Sequence, residues 1–189
     1  NHADQPLGMM TVMYFMHHLL ENYGTDPEVT YLVNNRELYF VPVINPDGYV
    51  YNEKMSPKGG GLWAKNRRDN GGGIFGVNMI TNYSYKWGYD NIGSSPDPQN
   101  RRYRGTAPFS EPETQAVRDF CLAHNFIISN TYFAYGETVY PPWAYIQNQT
   151  PDAPKFNQLI KIATAINGSG NGFFLPPAEQ PPDFVNQFR

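Results

Sequence analysis

Residues 37–48 are Glu-Leu-Tyr-Phe-Val-Pro-Val-Ile-Asn-Pro-Asp-Gly, an apolar run that ends in a turn signal. The first eight, ELYFVPVI, form a mostly apolar run too short for a helix of that burial, which predicts a buried strand. Asn45–Gly48, NPDG, follows as a strong turn signal. A similar run, FIISNTYF at 126–133, predicts a second buried strand. Helical patterns alternate with these strands. Pro6–Asn22 carries Leu7, Met10, Met13, Tyr14 and Leu20 at helical spacing, and Gly24 stops it. SEPETQAVRDFCLAHN, residues 110–125, opens with Ser110 and Glu113 as a capping box and continues with Ala116, Val117, Phe120 and Cys121 on one face. Asp152–Asn167 predicts a third helix. Residues 52–105 are loop-rich, with Gly triplets at 59–61 and 71–73. Alternation of this kind implies an α/β sandwich, a mixed or parallel sheet flanked by helices.

Composition narrows the class. The 189 residues suffice for one domain with a real core. Aromatics at 15% and charged residues at 16% exclude a disordered chain. A net charge of -3 gives no reason to expect nucleic acid. No apolar run of about twenty residues spans a membrane. Cys121 is the single cysteine, so no intrachain disulfide forms; its apolar neighbours make it a small hydrophobe. Sequons at Asn82, Asn148 and Asn167 make these three candidates for glycosylation and, with the Gly, Pro and Tyr content, suggest an extracellular, secreted protein. The start at Asn1 is compatible with a removed signal peptide.

Generic site motifs are weak. Gly168, Gly170 and Gly172 have the composition of a phosphate loop but neither its strand nor its helix. His17 and His18 are helix neighbours about 100° apart and do not converge on one ion. His2-Ala3-Asp4-Gln5 has the His of a His-x-x-carboxylate zinc pair, but an amide three residues on, where the carboxylate is needed.

Six segments carry a resemblance: PLGMMTVMYFMHHLLENYG, LYFVPVINPDGYVYNE, GGGLWAKNRR, GVNMITNYSYKWGYDN, YRGTAPFSEPETQAVRDF and TYFAYGETVYPPWAY. In this order and spacing, over most of residues 2 to about 145, they resemble the catalytic domain of the zinc metallocarboxypeptidases, the carboxypeptidase A and B type of peptidase family M14. The resemblance implies a three-layer sandwich with a mixed β-sheet between helices. It places His2 on the first zinc ligand, Gln5 on the second, normally Glu, and Phe133 on the third, normally His. Asp4 falls where many members have Arg. Ala64 takes the place of an oxyanion-stabilising Arg, and Ile80 and Thr81 replace the Asn-Arg pair that grips the substrate carboxylate. Asn78 stands for an Asp that orients a zinc-bound His, and Ala134 for a Ser. No segment after Gly168 resembles those that carry the general-base Glu and the mobile Tyr; Glu179 lies in Pro-rich sequence and receives no role.

These departures remove chemistry. A hydrolytic zinc site needs three protein ligands and an activated water. Loss of an oxyanion donor alone costs about 3–4 kcal/mol in comparable sites. The chain therefore reads as residues 1–167, a partial carboxypeptidase-like domain, and 168–189, a Pro/Gly-rich tail. The expected function is binding or assembly by a catalytically inactive domain with no cofactor. The alternative is a secreted zinc carboxypeptidase seen as a fragment or altered chain, with zinc as cofactor. The resemblance also implies missing sheet strands, so that open edges near 37–44 and 126–131, or the tail, become routes to self-assembly or to a protein or peptide partner.

Overall fold

Four of the five α-helices among the described residues begin on proline. They are α1 (Pro6–Asn22), α2 (Pro27–Asn35), α3 (Pro46–Met55) and α4 (Pro112–Ala123); α5 is Ala153–Ile166. Proline suits the first helical position because its φ is preset and its missing N–H would lack a partner there anyway. Asp26 caps α2, accepting from the Glu28 and Val29 amides at 2.8 and 3.1 Å. Asn45 caps α3 by accepting from Gly48 N–H at 3.0 Å. This computed structural model describes residues 1–134, 141–143, 145–146, 148 and 150–166, with backbone alone for 162–166.

Three expected helices are present, α1 with the bounds read from the sequence. Two further helices were not expected. NPDG is not a free turn: Asn45 starts α3, because an Asn N-cap followed by Pro is a helix start as much as a turn start. The Ser110–Glu113 capping box does not form. Glu111 is the N-cap of α4, with no side-chain cap bond. The Ser110 hydroxyl is drawn away, donating to Glu111 Oε1 at 2.6 Å and accepting from Asn82 Nδ2 at 2.9 Å.

The two expected strands, 37–44 and 126–133, are irregular, with bends at 42 and 44 in the first and at 127 in the second. A strand exists through its ladder, and neither segment forms a β ladder among the described residues. There, pairing is limited to isolated bridges, Asp69 with Phe75 and Ser95 with Tyr103. The two segments also leave apolar side chains exposed: Leu38, Tyr39 and Val41 in the first, Ile127 and Ile128 in the second. They meet where Tyr39 packs edge-on against Phe120 and Phe126.

α1 and α2 pack together, joined by Tyr23 Oη donating to Asn34 Oδ1 at 2.9 Å. Most of the core lies outside the α-helices instead: Ala64, Val77, Tyr83 and Tyr103 are buried in loops, and Met79 and Ile80 in the short 3-10 helix Met79–Thr81. Buried loops need their polar groups satisfied, and asparagines do this here. Asn66 accepts from the Val77 and Arg68 amides and donates to Glu111 Oε2 at 2.7 Å. Gly76, at φ 84°, passes so close that a Cβ would stand 2.5 Å from the Asn66 carbonyl oxygen.

Asn82 is wholly buried. Its Nδ2 donates to the Arg104 and Ala107 carbonyls and to Ser110 Oγ, and its Oδ1 accepts from Thr114 Oγ1 at 2.7 Å. The glycosylation expected at Asn82 is therefore incompatible with the folded chain, since a glycan would replace those bonds. Asn148 is exposed. Asn167, the glycines from 168 on, Glu179 and the tail 168–189 lie outside the described residues. No helix of the described residues is long and apolar enough to cross a membrane.

Candidate functional site

His2, Gln5 and Phe133 come together although about 130 residues separate the first two from the third. The turn at 2–5 closes with Gln5 N–H donating to the His2 carbonyl at 3.3 Å. Ala3 N–H donates to the Ala64 carbonyl at 3.4 Å, tying this turn to the GLWAKN loop. Gly8 in α1 brings in the third member. A Cβ there would lie 2.8 Å from the Tyr132 carbonyl oxygen, so only glycine lets residues 132–133 pass so close. The Phe133 ring then meets the His2 imidazole edge-on, centroids 6.0 Å apart. Ala134 N–H donates to Gln5 Oε1 at 3.4 Å.

The tautomer of His2 follows from Asn78. Asn78 Oδ1 accepts from Ile80 N–H at 3.1 Å, and its Nδ2 donates to the Arg101 carbonyl at 3.3 Å. The oxygen is thereby fixed as the atom 3.3 Å from His2 Nε2, so Nε2 carries the proton. Nδ1 then holds a free lone pair, and it is buried without a partner. Burial pushes the His2 pKa below its ordinary 6.5, with the nearby Asp4 charge opposing that shift.

Asp4 is nearly buried and pairs with Arg101 at 2.5 Å through Oδ2, leaving Oδ1 buried without a partner. Neither Ala64, Ile80 nor Thr81 presents charge. All three are buried, and the Thr81 hydroxyl is spent on the Asn78 carbonyl at 3.0 Å. His17 is exposed, and His18 contacts Asn22 along α1. Cys121 is a half-buried free thiol.

Residues that sequence reading passed over hold this site. Arg101 pairs with Asp4 across 97 positions, and no local pattern announces it. Asn45 donates to the Asn1 and Lys65 carbonyls at 3.2 and 3.0 Å. Its signal was present, in the Asn-Pro dipeptide.

The donor set can be tested against zinc. His2 Nδ1 fits: it is a neutral imidazole nitrogen with an open lone pair and a second-nitrogen hydrogen bond of the usual kind. Its neighbours do not. Gln5 offers an amide oxygen already engaged by Ala134, and Phe133 offers a phenyl ring. Zinc is held by imidazole, thiolate and carboxylate. Among the described residues no three His, Cys, Asp or Glu converge as a metal set.

Comparison with known proteins supplies the family. The zinc carboxypeptidase pattern of peptidase family M14 matches residues 1–180. Carboxypeptidase O of Homo sapiens is 30% identical over 169 residues, 87% of this chain and 44% of that protein. Carboxypeptidase B of Astacus astacus is 30% identical over 176 residues, 89% of this chain and 55% of that protein. The chain thus spans about half the length of these relatives, or less. Among solved structures, thrombin-activatable fibrinolysis inhibitor matches 95% of this chain and 50% of its own, with a TM-score of 0.74 and 25% identity. Carboxypeptidase A from Helicoverpa armigera matches 87% of this chain and 38% of its own, at 0.70 and 25%. The likeness of fold thus extends over nearly the whole chain, and the chain belongs to the zinc carboxypeptidase family, the M14 peptidases.

Proposed function

We propose that this chain is a carboxypeptidase-like domain that does not hydrolyse peptides and serves a binding or assembly role. One observation carries the reading: around the open Nδ1 of His2 stand an engaged Gln5 amide and the Phe133 ring. Ala64, Ile80 and Thr81 support it, since none supplies a charge for an oxyanion or a substrate carboxylate. The family's zinc and its peptide cleavage belong to the alternative, which these side chains do not favour. Incubating the purified chain with zinc and a series of peptides is the test. No release of C-terminal residues is expected, and turnover abolished by a chelator would overturn the proposal.

The binding role is proposed to run through segments 37–44 and 126–131. No backbone group of residues 37–44 makes a hydrogen bond to another described residue. This edge, with the exposed Ile127 and Ile128 of segment 126–131, is offered to an extended strand of another chain, completing the three-layer sandwich with its mixed sheet. Secretion and glycosylation at exposed Asn148 are part of the same proposal. Mass in solution tests the edge: Val41→Lys with Ile127→Lys should shift an assembled chain to monomer. A wild-type chain monomeric at every concentration would refute it.

A further inference from the structure

We propose that a cavity walled by Tyr51, Trp63 and Phe75 binds an organic carboxylate on an apolar body, gripped by the Arg67 guanidinium. The cavity measures about 640 Å³, within the range that holds a small organic molecule. It is open to solvent, which gives a ligand entry. Its cations are Lys65, Arg67 and Arg101, and no Asp or Glu lines it. It borders the cluster described above through Ala64 and Arg101, but His2, Gln5, Phe133, Ile80 and Thr81 do not line it.

Arg67 is the unusual member. Its guanidinium carbon lies 3.8 Å from the Tyr51 ring centroid and 4.6 Å from those of Trp63 and Phe75. Three rings thus fix the position of this cation. Among the described residues it has neither a hydrogen bond nor an ion pair, although a guanidinium carries five N–H donors. Other cations of this region are engaged. Arg68 pairs with Glu111 and Arg101 with Asp4, while the Lys65 ammonium donates to the Pro98 and Asn100 carbonyls. A rigid guanidinium with an unused edge matches the two oxygens of a carboxylate, and its low loss of side-chain freedom favours binding. The three rings and Ile74 would take the apolar body. Burial lowers the Lys65 pKa; the Asp97 charge opposes that shift and the Arg67 charge adds to it. An anion in the cavity would offset the repulsion between Lys65 and Arg67.

Titration of the full chain with benzoate, followed through the Trp63 indole N–H resonance, tests the proposal. That N–H is anchored to the Asn66 carbonyl at 3.0 Å and so reports on the wall itself. Saturable shifts are expected with benzoate and not with benzamide, its neutral counterpart. Inorganic phosphate should bind at least about tenfold more weakly, having no apolar body. Arg67→Gln should abolish saturation. Arg67→Lys, which keeps the charge but not the fork, should weaken it about tenfold; it decides the matter if the Gln variant does not fold. Equal response to benzoate and benzamide, phosphate binding as tight as benzoate, or undiminished binding in Arg67→Lys would each overturn it.

Discussion

His2 Nε2 donates to Asn78 Oδ1 at 3.3 Å, so the imidazole keeps its Nδ1 lone pair buried and without a partner. Asn78 is neutral, and so it fixes the ring without stabilising its protonated form. Asn78→Asp places a carboxylate at the same atom and should raise the His2 pKa, because a negative neighbour favours imidazolium. Imidazole chemical shifts followed against pH check this. An unchanged or lower midpoint would show that Asn78 does not set the ring's electrostatics.

Asn82 joins the 79–83 turn to residues 104–114 through buried hydrogen bonds. Asn82→Ala leaves the Thr114 hydroxyl and the Arg104 and Ala107 carbonyls without it, and should cost about 3 kcal/mol. Denaturant unfolding measures the cost. Chain made in a secretory host should carry no glycan at Asn82 in its folded fraction, as peptide mass analysis would read directly.

Glu111 is 1% exposed and bonded to Arg68 at 2.7 Å. Removing the cation in Arg68→Met leaves a buried carboxylate supported, among the described residues, by Asn66 and Ser110. The expected loss is about 2 kcal/mol, less than for a fully buried pair because solvent reaches Arg68. A change near zero in the unfolding midpoint would contradict this.

Burial raises the Glu113 pKa above its ordinary 4.5. The folded chain therefore holds this proton more tightly than the unfolded chain does. Between 4.5 and the raised value the folded state binds more protons, so this group's contribution to stability falls as pH rises through that window. Glu113→Gln should remove this part of the pH dependence and stabilise the chain at neutral pH relative to wild type. Unfolding curves across the acidic range would show the two chains converge as pH falls; parallel curves would refute it.

Helices were legible in the sequence where apolar spacing was long, as in Pro6–Asn22. α2 and α3 were hidden because each is short, and their signals, Asp26-Pro27 and Asn45-Pro46, also mark turns. ELYFVPVI and FIISNTYF have the composition of buried strands, but a ladder depends on neighbours that local sequence does not encode. The meeting of His2, Gln5 and Phe133 followed from family resemblance, and Gly8 shows how the backbone allows it. Asp4 with Arg101, and Arg67 within its three rings, had no local signature. Such contacts arise between loops far apart in sequence.

Zinc affinity, measured by competition with a chromophoric chelator, tests the central claim most directly. The wild-type chain should show no stoichiometric zinc. Gln5→Glu combined with Phe133→His should bind zinc far more tightly by giving the open His2 Nδ1 two ligands of the right chemistry, while either change alone should do little. Tight, stoichiometric zinc in the wild-type chain, lost on His2→Ala, would contradict the account.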